Sequence, residues 1–507
     1  MPTIRIANYE KTTLRVSDAH FGGNVLYHPN TDFGTGRPLE NFEAAISELG
    51  QTILRYPAGQ TEVLFADGMM IHGDMIPEVR GFLEWARSSR VEGIVLVLPT
   101  EEGFHGRAEL RAFVEAVMEE FGDLVAAFEI GNEYWRHDPN PGGESRETEY
   151  AQVANKIATV VGSVLETMDH DPDILVQTAN PAGQGSSYNW RHEDGRGANM
   201  TEAMRWELAN ADLQDALSDA ALAHIDGIVH HFYWQDGHDP ENARDYRMEW
   251  HEESWSAVLG RDMVFYVTEW NIQKDHVELL GLRSAGAILE MVEGMVRAGV
   301  DTALVWPPQH NTRNDLAGGA VADPIIDPVS GYVVNSVGGA LYDVMSDALS
   351  GGASLLDLEM VGASDTRMNG TDFLTYGYSD DDSFIFYVAS LSRETKMARL
   401  DISDVISGGY EASAIRIGMN RDTSDGQRST GAGEANFVMI DGSRYYYDED
   451  DVQAEIDLLT QDDIARDYGE FAVRLDPYEA VQITIELDGV TPYGPGLVCA
   501  GPPPLDF

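Results

Sequence analysis

The sequence predicts an α/β protein, namely a (β/α)8 TIM barrel followed by a C-terminal antiparallel β-sandwich. In the first 350 residues, short apolar runs alternate with helical patterns, and eight such pairs can be counted. Continuous apolar strands that alternate with helices favour a parallel sheet, and eight repeats close a barrel. After about residue 350, short strands are separated by turns rich in Gly, Asp and Ser, which is typical of an antiparallel sandwich.

The eight predicted strand–helix pairs follow one another along the chain. The first strand comes from the stretch LRVSDAHFGGN, and the helix NFEAAISELG follows it. The next seven predicted strands are, in order, TILRYPAG, EGIVLVLPT, LVAAFEIGNEYW, DILVQTAN, HIDGIVHHFYW, MVFYVTEWNI and TALVWPP. The helical segments between them, such as GRAELRAFVEAVMEEFG, repeat apolar residues at the three- and four-residue spacing of one helix face.

The change of pattern defines two domains and a tail. We expect the barrel to span residues 15–350 and the sandwich to combine residues 1–14 with residues 351–488, because the opening run IRIANYE is itself strand-like. Residues 489–507 are rich in Pro and Gly and are expected to form an irregular tail. Two domains suit a chain of 507 residues, since single hydrophobic cores rarely exceed about 250–300 residues.

The charge of the chain is strongly negative. There are 86 acidic and 33 basic residues, so the formal net charge is −53, and only four of the basic residues are lysines. Such a surface repels itself unless salt screens it, which favours a salty environment over ordinary conditions. The same charge disfavours nucleic acid as a partner. No apolar run approaches the roughly 20 residues of a membrane span, so no membrane insertion is expected.

The N-terminus lacks the apolar segment of a secretory signal. We therefore expect a cytoplasmic protein of a salt-adapted organism, or an extracellular protein exported without an N-terminal signal peptide. The one cysteine, Cys499, excludes an intrachain disulfide and a cysteine-based metal site.

Candidate functional residues lie where the predicted strands end, because the loops at the C-terminal face of a parallel barrel form its cleft. They comprise two carboxylates, an arginine, two amides, a histidine and two aromatic residues, namely Glu133, Glu269, Arg55, Asn132, Asn180, His231, Tyr233 and Trp306. Cleavage of a glycosidic bond with retention needs one carboxylic acid and one carboxylate, about 5–5.5 Å apart. Glu133 on the fourth strand and Glu269 on the seventh can meet that spacing. An aromatic ring such as Trp306 offers a flat surface for sugars.

Four motifs at these strand ends resemble those of the clan A retaining glycoside hydrolases. They are G-N-E on strand four, T-E-W-N on strand seven, LRYPAG on strand two and the H-x-Y pattern on strand six. The second-strand motif is most similar to the L-R-Y-P-G-G of the family 51 α-L-arabinofuranosidases, although Ala58 replaces the first glycine. A methyl group is expected there at a point where the backbone approaches substrate. A β-glycosidase of another clan A family stays open as an alternative.

The resemblance implies a role for each matching residue. Glu133 would be the general acid/base and Glu269 the nucleophile, and Asn132 would hold the 2-hydroxyl of the sugar. Arg55 and Tyr233 would hydrogen-bond Glu269 and keep it ionised. Glu133 must start protonated, so partial burial and neighbouring negative charge are expected to raise its pKa.

The same residues also allow other interpretations. His230, His231 and His238 suggest a metal site, but no carboxylate completes a convincing ligand spacing, so neither a metal nor another cofactor is predicted. Glu129 shares the strand parity of the site and is interpreted as the buried partner of an arginine. The chain as a whole could instead be a non-catalytic glycan-binding protein or a structural surface or virion component. A homo-oligomer or a larger assembly is compatible with either function.

Overall fold

The computed structural model describes residues 3–100, 106–136, 145–191, 197, 199–234, 248, 250–273, 279–310, 313–317, 334–362, 364–365, 372–380, 382–422, 437–446 and 452–487. His238 and the tail expected at residues 489–507 lie outside the described residues.

Eight parallel strands form a closed barrel, as predicted. The strands before residue 306 are β1 (Ile4–Ser17), β2 (Gly22–Asn24), β3 (Ile53–Tyr56), β4 (Met70–Ile71), β5 (Asp74–Met75), β6 (Gly93–Leu98), β7 (Val125–Ile130), β8 (Asp173–Gln177), β9 (Gly227–Trp234), β10 (Val264–Ile272) and β11 (Thr302–Val305). The barrel has the order β2-β3-β6-β7-β8-β9-β10-β11 and closes from β11 back to β2. The short strands β4 and β5 form a separate hairpin.

Helices connect the barrel strands, and their apolar faces pack on the barrel. In the described residues the α-helices are Glu40–Glu48, Thr61–Leu64, Pro77–Ser88, Arg107–Phe121, Arg146–Leu165, Glu202–Ala216, Asp219–Leu222, Trp250–Leu259, Ser284–Arg297, Val337–Leu349 and, in the second domain, Gln461–Ile464. Several begin where a side chain can satisfy a free backbone N–H. Ser145, Thr201 and Ser336 each accept a hydrogen bond from the N–H three residues later.

Side chains that point into the barrel alternate along each strand and form layers. The lower layer is apolar. It consists of the buried residues Val95, Ala127, Leu175, Val229, Tyr266 and Leu304, and the partly buried Ile53 packs against them. Two residues further along the strands, toward the C-terminal face, most inward positions are polar or aromatic. They include Arg55, Glu129, Gln177, His231 and Trp306, whereas Val97 of β6 is apolar. The apolar layer closes the bottom of the barrel, so the polar layer forms the floor of a cleft.

The second domain is one large, mainly antiparallel sheet that folds over its own core. Its later strands are β12 (Gly351–Val361), β13 (Ser364–Asp365), β14 (Phe373–Ser379), β15 (Ser383–Ser390), β16 (Lys396–Asp401), β17 (Tyr410–Met419), β18 (Phe437–Ile440), β19 (Ser443–Tyr446), β20 (Ala454–Leu459), β21 (Glu470–Leu475) and β22 (Ala480–Leu487). The order is β20-β17-β22-β15-β14-β12-β1-β16-β21, with β13 beside β14, while β18 and β19 pair separately. Side chains of β1, β16 and β21 pack against those of β15 and β22 in a common apolar core, which makes the sheet a sandwich.

The opening strand belongs to the sandwich. β1 pairs antiparallel with β12, and this pairing extends to Ser17, three residues beyond the boundary expected at residue 14. β1 also pairs with β16, in parallel. The chain therefore starts in the second domain before it enters the barrel at β2.

The two domains share a packed and hydrogen-bonded interface. The barrel helices Ser284–Arg297 and Val337–Leu349 contribute to one continuous apolar core together with Tyr376, Tyr378 and Tyr387 of the sheet. The Tyr376 hydroxyl donates to Glu290 Oε2 at 2.6 Å. The sandwich thus covers the side of the barrel and leaves its C-terminal face to the loops.

In the part of the chain that the structure describes, no helix combines the length and the apolar character needed to cross a membrane.

Candidate active site

A buried arginine is the centre of the polar layer in the barrel. Arg55 is fully buried, and its Nε and Nη2 atoms each donate to one oxygen of Glu129 at 2.7 Å. Its Nη1 donates to Glu269 Oε1 at 2.7 Å. It also donates to the side-chain oxygens of Asn132, at 2.7 Å, and Asn24, at 3.1 Å. Burial alone would lower the pKa of Arg55, but the charges of Glu129 and Glu269 outweigh burial and raise it, so the side chain is a permanent cation.

The turn after β7 directs Asn132 and Glu133 to different partners. Gly131 has a φ of +76°, and a Cβ there would lie 2.7 Å from the side chain of Thr100, so the position requires glycine. Glu133 has a φ of +44°, which costs a residue with a side chain about 1–2 kcal/mol. Strained backbone of this kind concentrates at functional positions. The N–H of Glu133 donates to Gln177 Oε1 at 3.3 Å, which helps to hold the turn.

A β-bulge in β10 positions Glu269. The register between β10 and β9 shifts by one residue, because Val267 pairs with His230 whereas Glu269 pairs with His231. Thr268 is the additional residue in β10. A bulge bends its strand and re-aims the following side chain, which here brings Glu269 beside His231 at the cleft.

Glu269 is held by donors on its own side of the cleft. It is 4% exposed, and besides the bond from Arg55 it accepts a hydrogen bond from the Tyr233 hydroxyl to Oε2 at 2.9 Å. Burial and the neighbouring carboxylates raise the pKa of Tyr233 far above its ordinary value. The phenol therefore stays protonated and acts as a donor to Glu269.

The two glutamates meet on either side of His231. His231 Nδ1 lies 3.3 Å from Glu133 Oε1 and 3.5 Å from Glu269 Oε2. One oxygen of each glutamate and Nδ1 all lie within 4.8 Å of one another. The two residues are 136 positions apart in the sequence, so only closure of the barrel brings them together.

His231 contacts hydrogen-bonding groups through both ring nitrogens. Nδ1 faces the two glutamates, and Nε2 lies 3.2 Å from the Thr268 hydroxyl, which is itself 3.4 Å from Glu129 Oε1. Burial alone lowers the pKa of His231, but the charges of Glu269 and Glu133 outweigh burial and raise it. The two carboxylates therefore favour the imidazolium form of the ring.

The charge state of Glu133 corrects the expectation from sequence. Burial raises the pKa of Glu133, but His231 and Arg136 outweigh it and hold that pKa at about 2. Arg136 Nη1 donates to Glu133 Oε2 at 2.8 Å. The expectation of a raised pKa was wrong because it counted only burial and the negative neighbours, and it left out the two cations that contact the carboxylate.

Trp306 lies in the cleft next to the loop that follows β3. A Cβ added at Gly59 would lie 3.7 Å from the Trp306 ring and 3.5 Å from Asn132 Nδ2, so Gly59 leaves open space between the two side chains. Ala58, which was expected to approach the substrate, is instead fully buried with a φ of +51°. The residue that approaches the site is Gly59.

Asn180 is placed differently from the other candidates. Its Oδ1 accepts from the N–H of Ala182 at 3.2 Å, and its carbonyl accepts from the N–H of Gly183 at 2.9 Å. These bonds shape the loop that follows β8. The alternation of side chains along β8 places Gln177, two residues after the inward Leu175, in the polar layer, and Asn180 lies beyond the end of the strand.

Four polar residues of the site were not among the candidates predicted from the sequence. Gln177 Nε2 donates to Glu129 Oε1 at 2.6 Å, Asn24 binds Arg55, Thr268 binds His231, and Arg136 binds Glu133. Gln177 could have been found by counting two residues onward from the inward Leu175. Asn24 follows two glycines, which give no apolar inward position to count from. Thr268 is hidden by the bulge, and Arg136 by the tight turn after Glu133.

Glu133, His231 and Glu269 are also close enough to share a metal ion. However, both carboxylates already have protein partners, since Arg136 binds Glu133 and both Arg55 and Tyr233 bind Glu269. A protonated His231 has no lone pair to offer a metal. We therefore interpret the group as an acid–base cluster.

Comparison with known proteins finds similarity in structure alone. No known protein-family profile matches the chain, and no curated protein matches its sequence. Among solved structures, it resembles AbfB, a family 51 α-L-arabinofuranosidase from Bifidobacterium longum, with a TM-score of 0.57 and 15% identity over 96% of this chain and 100% of that one. The fold is that of these glycoside hydrolases.

Two further structures agree with this fold. The family 51 arabinofuranosidase from Xanthomonas axonopodis pv. citri has a TM-score of 0.58 at 14% identity and covers 96% of this chain and 100% of its own. Wild-type BuGH86, solved in complex with neoagarooctaose, has a TM-score of 0.57 at 13% identity over 96% of this chain and 78% of its own. The predicted barrel with a C-terminal sandwich is confirmed, and so is its likeness in fold to family 51.

Replacement of Arg55 by methionine should destabilise the protein strongly. The change leaves Glu129 and Glu269 buried without their cation, so the free energy of unfolding at pH 7 should fall by about 3–5 kcal/mol. The difference in unfolding free energy between the parent and the variant should become smaller as the pH is lowered, because unpaired buried carboxylates bind protons more tightly in the folded than in the unfolded state. Chemical denaturation of the parent and the variant at several pH values measures both effects.

Arg5→Met is the matched control, because it removes an exposed arginine that pairs with Asp404 on the surface. It should change the unfolding free energy by less than about 1 kcal/mol. Equal losses in the two variants would contradict the central role of Arg55.

His231→Gln should change how stability depends on pH. Because the folded-state pKa of His231 is raised, its contribution is complete below the unfolded pKa near 6.5 and is lost as the pH rises through the folded pKa. The parent should lose about 1.4 kcal/mol for each unit by which the folded pKa exceeds the unfolded one, and the variant should lack this decline. His170→Gln, at an exposed histidine, should keep the parent profile; a decline that persists in His231→Gln would contradict the imidazolium assignment.

Proposed function

We propose that the protein is a retaining glycoside hydrolase that cleaves glycosidic bonds of oligo- or polysaccharides by double displacement. The observation that carries the proposal is the approach of one oxygen of Glu133 to one of Glu269 within 4.8 Å at the C-terminal end of the barrel. Retaining enzymes keep their two carboxyl groups about 5–5.5 Å apart, whereas inverting enzymes separate them by about 6.5–9.5 Å to admit a water molecule. The measured approach supports the retaining geometry.

Glu269 is suited to be the nucleophile. Arg55 and Tyr233 hold its carboxylate in place from the floor of the barrel, so it can attack an anomeric carbon without rearranging. In the first step a bond forms between Glu269 and the anomeric carbon as the bond to the leaving oxygen breaks. Glu133 supplies the proton that the leaving oxygen takes up.

Glu133 is suited to be the acid/base because its environment can change. His231 and Arg136 lower the pKa of Glu133, and His231 Nδ1 lies 3.3 Å from Glu133 Oε1, close enough to exchange a proton with it. A sugar that enters the cleft excludes water and approaches Glu133, which favours the neutral acid. Once the nucleophile is glycosylated, the ionised Glu133 can accept a proton from the water that hydrolyses the intermediate.

Two kinds of observation, sequence motifs and the shared fold, support the proposed substrate class within the glycosidases. The motifs LRYPAG, G-N-E and T-E-W-N are similar to those of the family 51 arabinofuranosidases, and two solved enzymes of that family share the fold. Asn132, held on Arg55, would bind the sugar hydroxyl next to the reacting carbon, and Trp306 would contact the sugar ring. An α-L-arabinofuranoside is therefore the first substrate to test, in the high-salt buffer that the net charge of −53 suggests.

Glu269→Gln should abolish hydrolysis of aryl glycosides, with a loss of roughly a thousandfold or more, because it removes the attacking carboxylate while it preserves size. The panel should include furanosides and pyranosides, and the anomeric configuration of the first product should be followed by NMR. Retention is expected. An inverted product would overturn the mechanism, and zero activity of the parent on every substrate would favour a non-catalytic glycan-binding protein.

Glu133→Ala should lose activity on natural linkages but retain part of it on aryl glycosides whose leaving groups need no proton. Azide should accelerate the variant and yield a glycosyl azide with the configuration of the substrate, since azide attacks the intermediate in place of activated water. Glu129→Ala makes a useful comparison because Glu129 lies below the site and pairs with Arg55. Rescue by azide of Glu129→Ala, or its failure with Glu133→Ala, would contradict the assigned roles.

A further inference from the structure

Arg136 stands at the rim of the cleft beside the proposed acid/base. Its side chain is 74% exposed, yet its Nη1 lies 2.8 Å from Glu133 Oε2. The turn that carries it is anchored by two buried aromatic residues. Tyr134 stacks on Tyr150 with ring centroids 4.5 Å apart, and Trp135 packs edge-on against His231 at 5.5 Å. The backbone position of Arg136 is thus defined by the same packing that orders the site.

The two oxygens of Glu133 face opposite ways. Oε1 points toward His231, which also contacts Glu269, so this side faces the sugar that is attacked. Oε2 points toward Arg136 and the solvent. A leaving group departs from the side of the acid, away from the nucleophile. Arg136 therefore lies where the departing sugar has to sit.

Stability does not explain an arginine at this place. Exposed ion pairs contribute about 0–1 kcal/mol, and this one lowers the pKa of the residue that must act as an acid. The charged groups around Glu133 are His231, Arg136 and Glu269, with Arg55 beyond Glu269. When Glu133 is protonated for the first step, Arg136 loses the carboxylate that it binds among the described residues.

We propose that Arg136 binds an anionic group, a carboxylate or a sulfate, on the sugar at the leaving-group side. Arg136 then releases Glu133, and the loss of this neighbouring cation prepares Glu133 to act as the acid. The inference rests on the proposed glycosidase function and names the substrate class. Guanidinium groups bind planar or tetrahedral oxyanions with two parallel hydrogen bonds. Because coupling between two binding events is reciprocal, an anion that takes Arg136 from Glu133 increases the affinity of Glu133 for a proton.

A second feature near the cleft favours an anionic substrate. The net charge of −53 opposes the approach of polyanions until salt screens it, so their recognition depends on local cations. The loop after β8 docks on the same turn, since the N–H of Gly185 donates to the carbonyl of Trp135 at 2.5 Å. This loop leads to Trp190, which is 59% exposed and has the guanidinium of Arg191 5.2 Å from its ring. An exposed aromatic ring with an adjacent cation suits a further acidic sugar.

The test compares pairs of oligosaccharides that differ only in the anionic group. One pair is a uronate-containing oligosaccharide and its carboxyl-reduced form, and the other is a sulfated oligosaccharide and its desulfated form. For the parent, kcat/KM should be higher on one of the two anionic members, and the pair that responds identifies the anion. Arg136→Gln should lower the anionic-to-neutral ratio of kcat/KM at least tenfold, and Arg136→Lys should recover part of it.

A second readout separates specificity from general damage. On a neutral substrate, Arg136→Gln should move the alkaline limb of the kcat/KM profile to higher pH, because Glu133 loses a cation and keeps its proton longer. Arg399→Gln, at an exposed arginine of β16 outside the cleft, is the matched control and should leave both the ratio and the profile unchanged. An anionic-to-neutral ratio that Arg136→Gln leaves unchanged, or a parent without any anionic preference, would overturn the proposal.

A binding measurement tests the proposed anion site without requiring turnover. Calorimetric titration of Glu269→Gln, with and without Arg136→Gln, with the same oligosaccharide pairs should show the anionic preference and its loss. Should the parent hydrolyse nothing while this preference is present, the proposed function fails and the anion site stands. Should hydrolysis of neutral substrates occur while both anionic members bind no better than their neutral forms, the glycosidase stands and the anion site fails.

Discussion

The arrangement of the cleft depends on one buried cation. Arg55 binds Glu129 through two hydrogen bonds and at the same time contacts Glu269, Asn132 and Asn24, all inside the barrel. A guanidinium in that position is stable only if carboxylates and amides surround it, and two buried carboxylates are stable only if such a cation lies between them. The cluster is therefore assembled as a unit. It links four barrel strands, and it sets the position of the proposed nucleophile and of the asparagine that would hold the sugar.

Glu133 belongs to a second cluster of opposite charges, which is open to solvent, unlike the buried cluster around Arg55. Glu269 faces fixed donors in the interior, whereas Glu133 lies between the buried ring of His231 and the exposed guanidinium of Arg136. The two glutamates are chemically identical, and only these surroundings distinguish them. Arg136 is exposed and accessible to a substrate, whereas Arg55 is fully buried. The difference between the rigid surroundings of the proposed nucleophile and the adjustable surroundings of the proposed acid/base follows from which cation is buried.

Acidic residues on the surface and in the cleft are stabilised in different ways. Most of the 86 acidic residues are compatible with a solvated surface on which salt screens the charges, whereas Glu129 and Glu269 are buried and paired with cations. Arginine, rather than lysine, provides the cations of the site, and its planar group is suited to bidentate contacts with carboxylates. The sandwich contributes by covering the last two barrel helices, through an apolar core and the bond from Tyr376 to Glu290, and so supports the strands that carry Glu269 and Trp306.

Sequence alone determined the barrel, the sandwich and the candidate glutamates, because strand and helix periodicity is local and because the C-terminal ends of parallel strands share one face. It also indicated that Glu129 pairs with an arginine, since parity along a strand is a local property. The tertiary structure decided which side chains meet. The bulge at Thr268, the left-handed turn at Glu133 and the approach of Arg136 depend on backbone details and on neighbours distant in the chain. The charge state of Glu133 was decided there too, because a pKa reflects every charge within a few ångströms, and a sequence does not show which charges those are.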